Sequence, residues 1–389
     1  MNRRHFISSS AVAAALSPST SMPASAATPK LRALMKHGAT AGGGGGEGAA
    51  GAPAAGAAAA GRGRGGGAPR DPEYGFRSLG RWGIKNVVAS AQIADGRIYA
   101  TVEELNRLTA LADKYGMTVD VLNPPFLPSS HIDRERHPAI MLGQSPERDR
   151  DIEQINTMIK NCAAAKIPCI KYNLSILGVL RNTREPGRGD TSFTAYKLSG
   201  PPPNPPLTRA GVVHADQYWE RITYFLEKVI PVATEYKVRM ALHPNDSAVP
   251  PTGYQGVECP LATVDGLKKF VTIHESPYHG LNFCVGTVSE MCQNPGKEIY
   301  DIVRYFGSRK KIFNIHFRNI RGHRDDFAEV GVDEGSDDMF KVMLALRDVG
   351  YEYMVHPDHV VASPSDTGGE YTAFVHGYIS ALIQAVDQV

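Results

Sequence analysis

IFNIHFR, residues 312–318, is the stretch on which the fold turns. Ile312, Phe313, Ile315 and Phe317 mark an apolar strand, and alternation along it puts Asn314, His316 and Arg318 on one face. Three other runs are built the same way: VRMALHP (238–244), GLNFCVG (280–286) and EYMVHPD (352–358). Each closes on a side chain able to bind a metal, so His243, Cys284, His316 and Asp358 recur at intervals of roughly 30 to 40 residues, the length of one strand-plus-helix unit of a β/α barrel. In EYMVHPD, His356 and Asp358 share a face, as Asn282 and Cys284 do in GLNFCVG, so all four donors can turn inward at one mouth. Two imidazoles, a thiolate and a carboxylate suit one borderline divalent cation per chain, Mn²⁺, Fe²⁺ or Zn²⁺, and disfavour Ca²⁺ and Mg²⁺.

Working outward, YGFRSLG (74–80), IKNVVAS (84–90), MTVDVLN (117–123) and CIKYNLS (169–175) bring the strand count to eight. Amphipathic helices separate several of them. Thr101–Glu104 is a capping box, followed by a face of Val102, Leu105, Leu108, Leu111 and Tyr115 that Gly116 ends. Ser145-Pro146 opens a second helix with the stripe Ile152, Ile155, Met158, Ile159 and Cys162. Further helices are expected over 214–236, 297–306, 338–349 and 370–387. The pattern predicts an α/β protein, a (β/α)8 TIM barrel over residues 72–389; an open doubly wound sheet would gather ligands at one switch point instead of four strand ends. Residues 183–213, after the fourth strand, form a long Pro-rich insertion that reads equally as a lid or as a tolerated surface loop.

The N-terminus carries an address. Asn2-Arg3-Arg4-His5-Phe6-Ile7, a weakly apolar stretch through Leu16 and Ala24-Ser25-Ala26 together read as a twin-arginine signal peptide over 1–26, implying the translocation machinery as a partner and a periplasmic destination. Residues 27–71, which include AGGGGGEGAAGAPAAGAAAAGRGRGGGAP, are predicted to be a disordered Gly/Ala-rich linker, since they cannot bury enough surface to offset ordering. A net charge of +2 with scattered basic residues gives no argument for nucleic acid, and no apolar run in the mature chain is long enough to span a bilayer. Five cysteines, an odd number without framework spacing, argue against a disulfide-stapled module. Assembly into a homo-oligomer is left open by the sequence.

From about residue 74 onward the chain resembles the metal-dependent mannonate dehydratases of the xylose-isomerase-like barrel superfamily. The likeness is carried by IMLGQSPERDRDIEQINTMIKN (140–161), IKYNL (170–174), HPND (243–246), SPYHGLNFCVGT (276–287), KIFNIHFRNIR (311–321), DFAEVGVDEGSDDMFKVMLAL (326–346) and HPDH (356–359). The resemblance implies Mn²⁺ or Fe²⁺ held by His243, Cys284, His316 and Asp358, the same four residues reached from strand position. It also implies a lyase that removes water from a sugar acid, D-mannonate giving a 2-keto-3-deoxy acid, with His359 as the catalytic histidine. Tyr371 is the nearest candidate for a catalytic tyrosine, and Tyr172, Asn173, Arg318 and Asn319 are expected to bind substrate. The chain departs from the family pattern at three places: Asn245 for an aspartate, Ala328 for a histidine and His356 for an arginine. These are expected to alter substrate-facing positions, an arginine being a bidentate carboxylate partner that histidine replaces poorly. Two alternatives stay open, a sugar isomerase or epimerase on the same fold and a non-catalytic exported sugar-acid binder.

Overall fold

The computed structural model describes residues 33–41, 73–199, 205–246, 249–250, 252–361 and 363–389. The predicted signal peptide, and residues 27–32 and 42–71 of the predicted linker, lie outside the described residues. Twelve strands are present among them: β1 (Lys36–Ala41), β2 (Asn86–Ala89), β3 (Thr118–Leu122), β4 (Cys169–Asn173), β5 (Thr183–Pro186), β6 (Ser192–Lys197), β7 (Arg239–His243), β8 (His279–Cys284), β9 (Ile312–Phe317), β10 (Asn319–His323), β11 (Asp326–Val330) and β12 (Met354–Pro357). Eight of these close into a parallel barrel in the order β1-β12-β9-β8-β7-β4-β3-β2, and β10-β11-β6-β5 form a separate antiparallel sheet. The helices are α1 (Tyr74–Gly80), α2 (Val102–Lys114), α3 (Ala139–Leu142), α4 (Glu147–Ala164), α5 (Ala215–Tyr236), α6 (Val264–Phe270), α7 (Val285–Ser289), α8 (Pro295–Ser308), α9 (Met339–Asp348) and α10 (Glu370–Val386). The architecture is the expected α/β TIM barrel.

Seven of the eight expected barrel strands form. The exception is YGFRSLG, which is α1, with Phe76 and Leu79 buried three residues apart as on one helix face. The missing strand is β1, inside the stretch expected to be linker, so the barrel begins well before residue 72. Its sequence, KHGATA, has no bulky apolar side chain because its inward position is crowded: a Cβ on Gly38 would sit 1.9 Å from Met354 Sδ. On the outward face, Ala39 and Ala41 are buried in the main core and His37 Nε2 lies 3.0 Å from His376 Nδ1 of α10. Four parallel residue pairs join β1 to β2, and Lys36↔Met354 and His37↔Val355 join it to β12.

The expected helices are in place. Thr101 and Glu104 make the reciprocal capping box of α2, with Glu104 N donating to Thr101 Oγ1 at 3.2 Å and Thr101 N to the Glu104 carboxylate at 2.7 Å. The insertion after β4 is no simple loop. Its hairpin β5–β6 adds to β11 through Ala328↔Ala195, Phe327↔Tyr196 and Asp326↔Lys197, so an ordered sheet stands beside the catalytic end of the barrel.

Removing β1 would leave β2 and β12 as unpaired barrel edges. A chain starting at residue 72 is therefore expected to show no cooperative thermal transition by circular dichroism and to aggregate, whereas a chain starting at Leu31 melts cooperatively. Equal melting of the two would refute β1 as part of the barrel.

Candidate active site

Strand alternation stacks the barrel interior in layers. The lowest is apolar, with Val88, Val121, Cys169, Ala241, Phe313 and Met354. Above it lies a polar ladder in which Asn314 Nδ2 donates to Asn282 Oδ1 and sits 3.1 Å from His356 Nε2. At the top, His243, Cys284, His316 and Asp358 bring one ligand atom each to within 4.8 Å of one another. Parallel register makes this unavoidable: Cys284 pairs with His316 across β8–β9, and Asp358 follows directly on the His356↔His316 and Pro357↔Phe317 pairs of β12 and β9.

The four donors fit a divalent cation. His243 Nδ1 donates to the Pro244 carbonyl at 2.7 Å, which turns Nε2 toward the cluster. His316 Nδ1 is buried without a hydrogen-bond partner, 3.3 Å from Asp358 Oδ1. Burial, and then His316, push His243 down to about 3, so its ring is available neutral at physiological pH. Burial opposes the charge on Asp358, but His359, His316 and Arg318 outweigh it and hold the carboxyl well below its ordinary range. Burial also drives the Cys284 thiol up to about 12 against the pull of Arg318. Its sulfur accepts from Thr287 N at 3.4 Å and from Arg318 Nη2 at 3.6 Å, donors that would serve a thiolate.

Beside the donors lies a buried charge network that the sequence did not disclose. Arg318, with no exposed side-chain surface, reaches Glu290 at 2.8 Å, Glu329 at 2.7 Å, Asp246 at 3.3 Å and Asp358 at 3.3 Å. Arg181, from the segment entering the insertion hairpin, pairs with Asp246, Glu290 and Glu329. Burial pushes Glu290 up to about 8, and its Oε2 has no partner. In Asp246 and Glu329 the two guanidiniums and His359 override burial and keep the carboxylates charged. Asp246, Glu329 and His359 also come within metal-binding distance of one another, but two arginines already neutralise those carboxylates, which disfavours a second cation there.

His359 leaves β12 with φ of +43°, a left-handed conformation that costs energy in a residue with a Cβ. Its Nδ1 lies 2.7 Å from Glu329 Oε1, while Nε2 is 3.9 Å from Asp358 Oδ2 and 4.0 Å from Asp246 Oδ2, facing the space next to the metal donors. Burial opposes its charge, but Asp358 and Glu329 raise it to about 9. Asp358, His359 and Glu329 line a cavity of about 690 Å³ whose described walls include Arg184, Ser192 and Thr194 from the hairpin.

Other expected contacts fall differently. Asn173 faces inward beside His243 and donates weakly to the Leu127 carbonyl at 3.4 Å. Tyr172, by alternation, points outward and packs against Phe225 of α5 with ring centroids 5.6 Å apart, so it does not meet the mouth. Arg318 is at the centre but committed to carboxylates. Asn319 is consumed by the backbone: it donates to the Val332 and Asp337 carbonyls and accepts from Ile320 N and Asp337 N. Tyr371 packs on the apolar side of β11 with Ala328, Val330 and Val361, and a Cβ on Gly331 would sit 2.3 Å from its hydroxyl. The hydroxyl is buried without a hydrogen-bond partner, and Tyr371 lines a small cavity together with Arg318, Asp358 and His359. The three departures do not line the larger cavity. Asn245 donates to Tyr218 of α5 at 3.2 Å, Ala328 faces away from Glu329 in the apolar cluster, and His356 lies below the donors against His316 with centroids 4.8 Å apart.

With a protonated Cys284 in the metal-free protein and a thiolate in the loaded one, raising pH favours loading. Metal uptake near neutral pH is expected to release close to one proton, with affinity rising about tenfold per pH unit, as calorimetry in buffers of different ionisation enthalpy would show. Cys284→Ser is expected to lose that dependence and roughly 100-fold in affinity; full metal content in the variant would refute the donor set.

Comparison with known proteins places the chain among relatives. The pattern of D-mannonate dehydratase (UxuA) matches residues 207–387. A mannonate dehydratase of Endomicrobium trichonymphae is 30% identical over 313 residues, covering 71% of this chain and 81% of that protein. One from Thermotoga maritima is 29% identical over 314 residues, with 71% and 82% covered. Among solved structures, the mannonate dehydratase from Streptococcus suis serotype 2 superposes with a TM-score of 0.66 at 22% identity, covering 79% of this chain and 88% of that one. A xylose isomerase domain protein from Planctomyces limnophilus shares the fold with a TM-score of 0.52 at 14% identity, covering 81% and 93%.

Proposed function

The chain belongs to the mannonate dehydratase family, and from that premise we propose that it dehydrates D-mannonate to 2-keto-3-deoxy-D-gluconate, using Mn²⁺ or Fe²⁺. The observation that carries this reading is the convergence of His243, Cys284, His316 and Asp358 with His359 Nε2 beside them. A cation on those four donors supplies charge stabilisation for the substrate carboxylate as the proton next to it leaves. The chain's own residues do the rest. Loss of water requires one proton removed from C2 and one delivered to the departing 3-hydroxyl, after which the enol becomes the ketone. His359 Nε2 is the proton carrier, placed next to the metal donors but bonded to none of them. The Arg181–Arg318 network keeps Asp246 and Glu329 ionised around it. The donor cluster contains no glutamate, whereas isomerases and epimerases of this fold usually bind metal through two, and this favours the lyase.

Purified, metal-loaded protein incubated with D-mannonate is expected to yield a 2-keto-3-deoxy acid, and His359→Asn to keep its metal while losing on the order of 10³ in kcat. No keto product from any of a panel of aldonates would sink the lyase reading. We further propose export through the twin-arginine route, supported by Asn2–Ile7 and Ala24-Ser25-Ala26. The paired change Arg3→Lys and Arg4→Lys should hold the protein in the cytoplasmic fraction; unchanged periplasmic recovery would rule the route out.

A further inference from the structure

Glu329 gathers more bonds than any proton carrier's neighbour needs for charge balance alone. Its Oε1 accepts from His359 Nδ1 at 2.7 Å, from Arg318 Nη1 at 2.7 Å and from Arg181 Nε at 3.1 Å. Its Oε2 has a different partner, the hydroxyl of Thr194. Thr194 belongs to β6 of the insertion hairpin and Glu329 to β11, one step along from the Ala328↔Ala195 pair. One oxygen is thus fixed by donors from three residues and the other by a single neutral hydroxyl. Two anchored oxygens fix the plane of a carboxylate, and that plane sets where Oε1 meets the His359 ring. The ring needs such a holder because its backbone is in the left-handed region at φ +43°, a conformation that surrounding contacts must over-determine.

We propose that Glu329 is the positioning residue for His359, and that Thr194 on the insertion hairpin sets the Glu329 carboxylate plane so that the imidazole keeps its Nδ1–H tautomer with Nε2 toward substrate. The hairpin is then part of the machinery of proton transfer and not a lid. A carboxylate on Nδ1 selects the tautomer that leaves Nε2 free to accept. Thr194 acts only through Glu329, and Glu329 only through His359. The inference rests on His359 being the proton carrier of the proposed reaction.

The test compares wild type, Thr194→Val, Glu329→Gln and the double variant, all metal-loaded, for kcat and KM on D-mannonate, metal content and melting temperature. Glu329→Gln is expected to lower kcat about 100-fold or more and Thr194→Val about 5-fold, each with KM and metal content within about twofold. The double variant should be no slower than Glu329→Gln alone, since the two act in one chain. Independently of turnover, ring ¹⁵N spectra of the Zn²⁺-loaded protein, recorded at a pH high enough for the ring to be neutral and with His359 assigned through His359→Asn, should show Nδ1–H in wild type and a mixed tautomer in Thr194→Val. Multiplying effects, a loss that tracks metal content or KM, or a wild-type ring protonated on Nε2 alone would overturn the proposal. If Glu329→Gln does not fold, the Thr194→Val spectrum and kcat decide by themselves. No turnover of any aldonate with the expected spectra would retire the lyase reading and leave the clamp standing; turnover unaffected by Thr194→Val with an unchanged ring would retire the clamp.

Discussion

A guanidinium without access to water must be matched by carboxylates, and Arg318 sets that requirement for the whole mouth of the barrel. Its four acidic partners come from four places in the chain: Asp246 after β7, Glu290 after α7, Glu329 on β11 and Asp358 after β12. Leaving a buried charge unpaired costs about 3–5 kcal/mol, so each segment is held against the same cation. The metal donors inherit this order. Arg318 touches both the Cys284 sulfur and the Asp358 carboxylate, and it favours the ionised form of each.

Placing a second arginine beside the first is costly unless the acids outnumber them. Arg181 and Arg318 share Asp246, Glu290 and Glu329, and Glu290 is pushed up to about 8 by burial first and by the neighbouring carboxylates after it. Arg181 enters this network because the chain, on leaving β4, makes an extra hairpin instead of passing directly to a helix. The second sheet follows from that detour. Its inner face carries Glu329 and Thr194 toward the cavity, while Tyr196 and Phe327 stack with centroids 6.0 Å apart and Arg181 lies 4.9 Å over the Phe327 ring. Its other face buries Phe193, Ala195, Ala328 and Val330.

The sequence discloses what period and register alone determine. IFNIHFR, GLNFCVG, VRMALHP and EYMVHPD are strands with one apolar and one polar face, and parallel register does the rest, so the donor cluster could be read without coordinates. KHGATA could not be read as a strand, because close packing against Met354 demands glycine at 38, and Gly38 with its neighbouring alanines looks like the low-complexity tract beside it. YGFRSLG misleads for the opposite reason: seven residues with three apolar positions satisfy a strand and a helical turn alike. Arg181, Asp246, Glu290 and Glu329 carry no periodic signal at all, being brought together from a loop, two strand ends and a helix end. The one hint was charge in otherwise apolar surroundings, as in SILGVLR and FAEV. Tyr172 closes a strand, which suggests the mouth, yet its parity, two residues from the outward Ile170, turns it to the other face.

The same parity relocates the question of specificity. Asn245, Ala328 and His356 depart from the family pattern, and all three sit off the cavity: one against Tyr218, one in the apolar face of the second sheet, one beneath the donors. His356 replaces a charged residue with one that can join the Asn282–Asn314 ladder while stacking edge-on to His316, so its effect falls on the setting of a metal donor. An arginine at that position would introduce a full positive charge below the His243 imidazole, which burial and its neighbour His316 already push down to about 3. Substitution there adjusts the electrostatics of the donor cluster and leaves the walls of the neighbouring cavity untouched. Those walls include, among the described residues, Arg184, Ser192 and Thr194 of the hairpin together with Asp358 and His359. The four metal-competent donors thus come from the barrel strands and their ends, and part of the cavity beside them from the insertion.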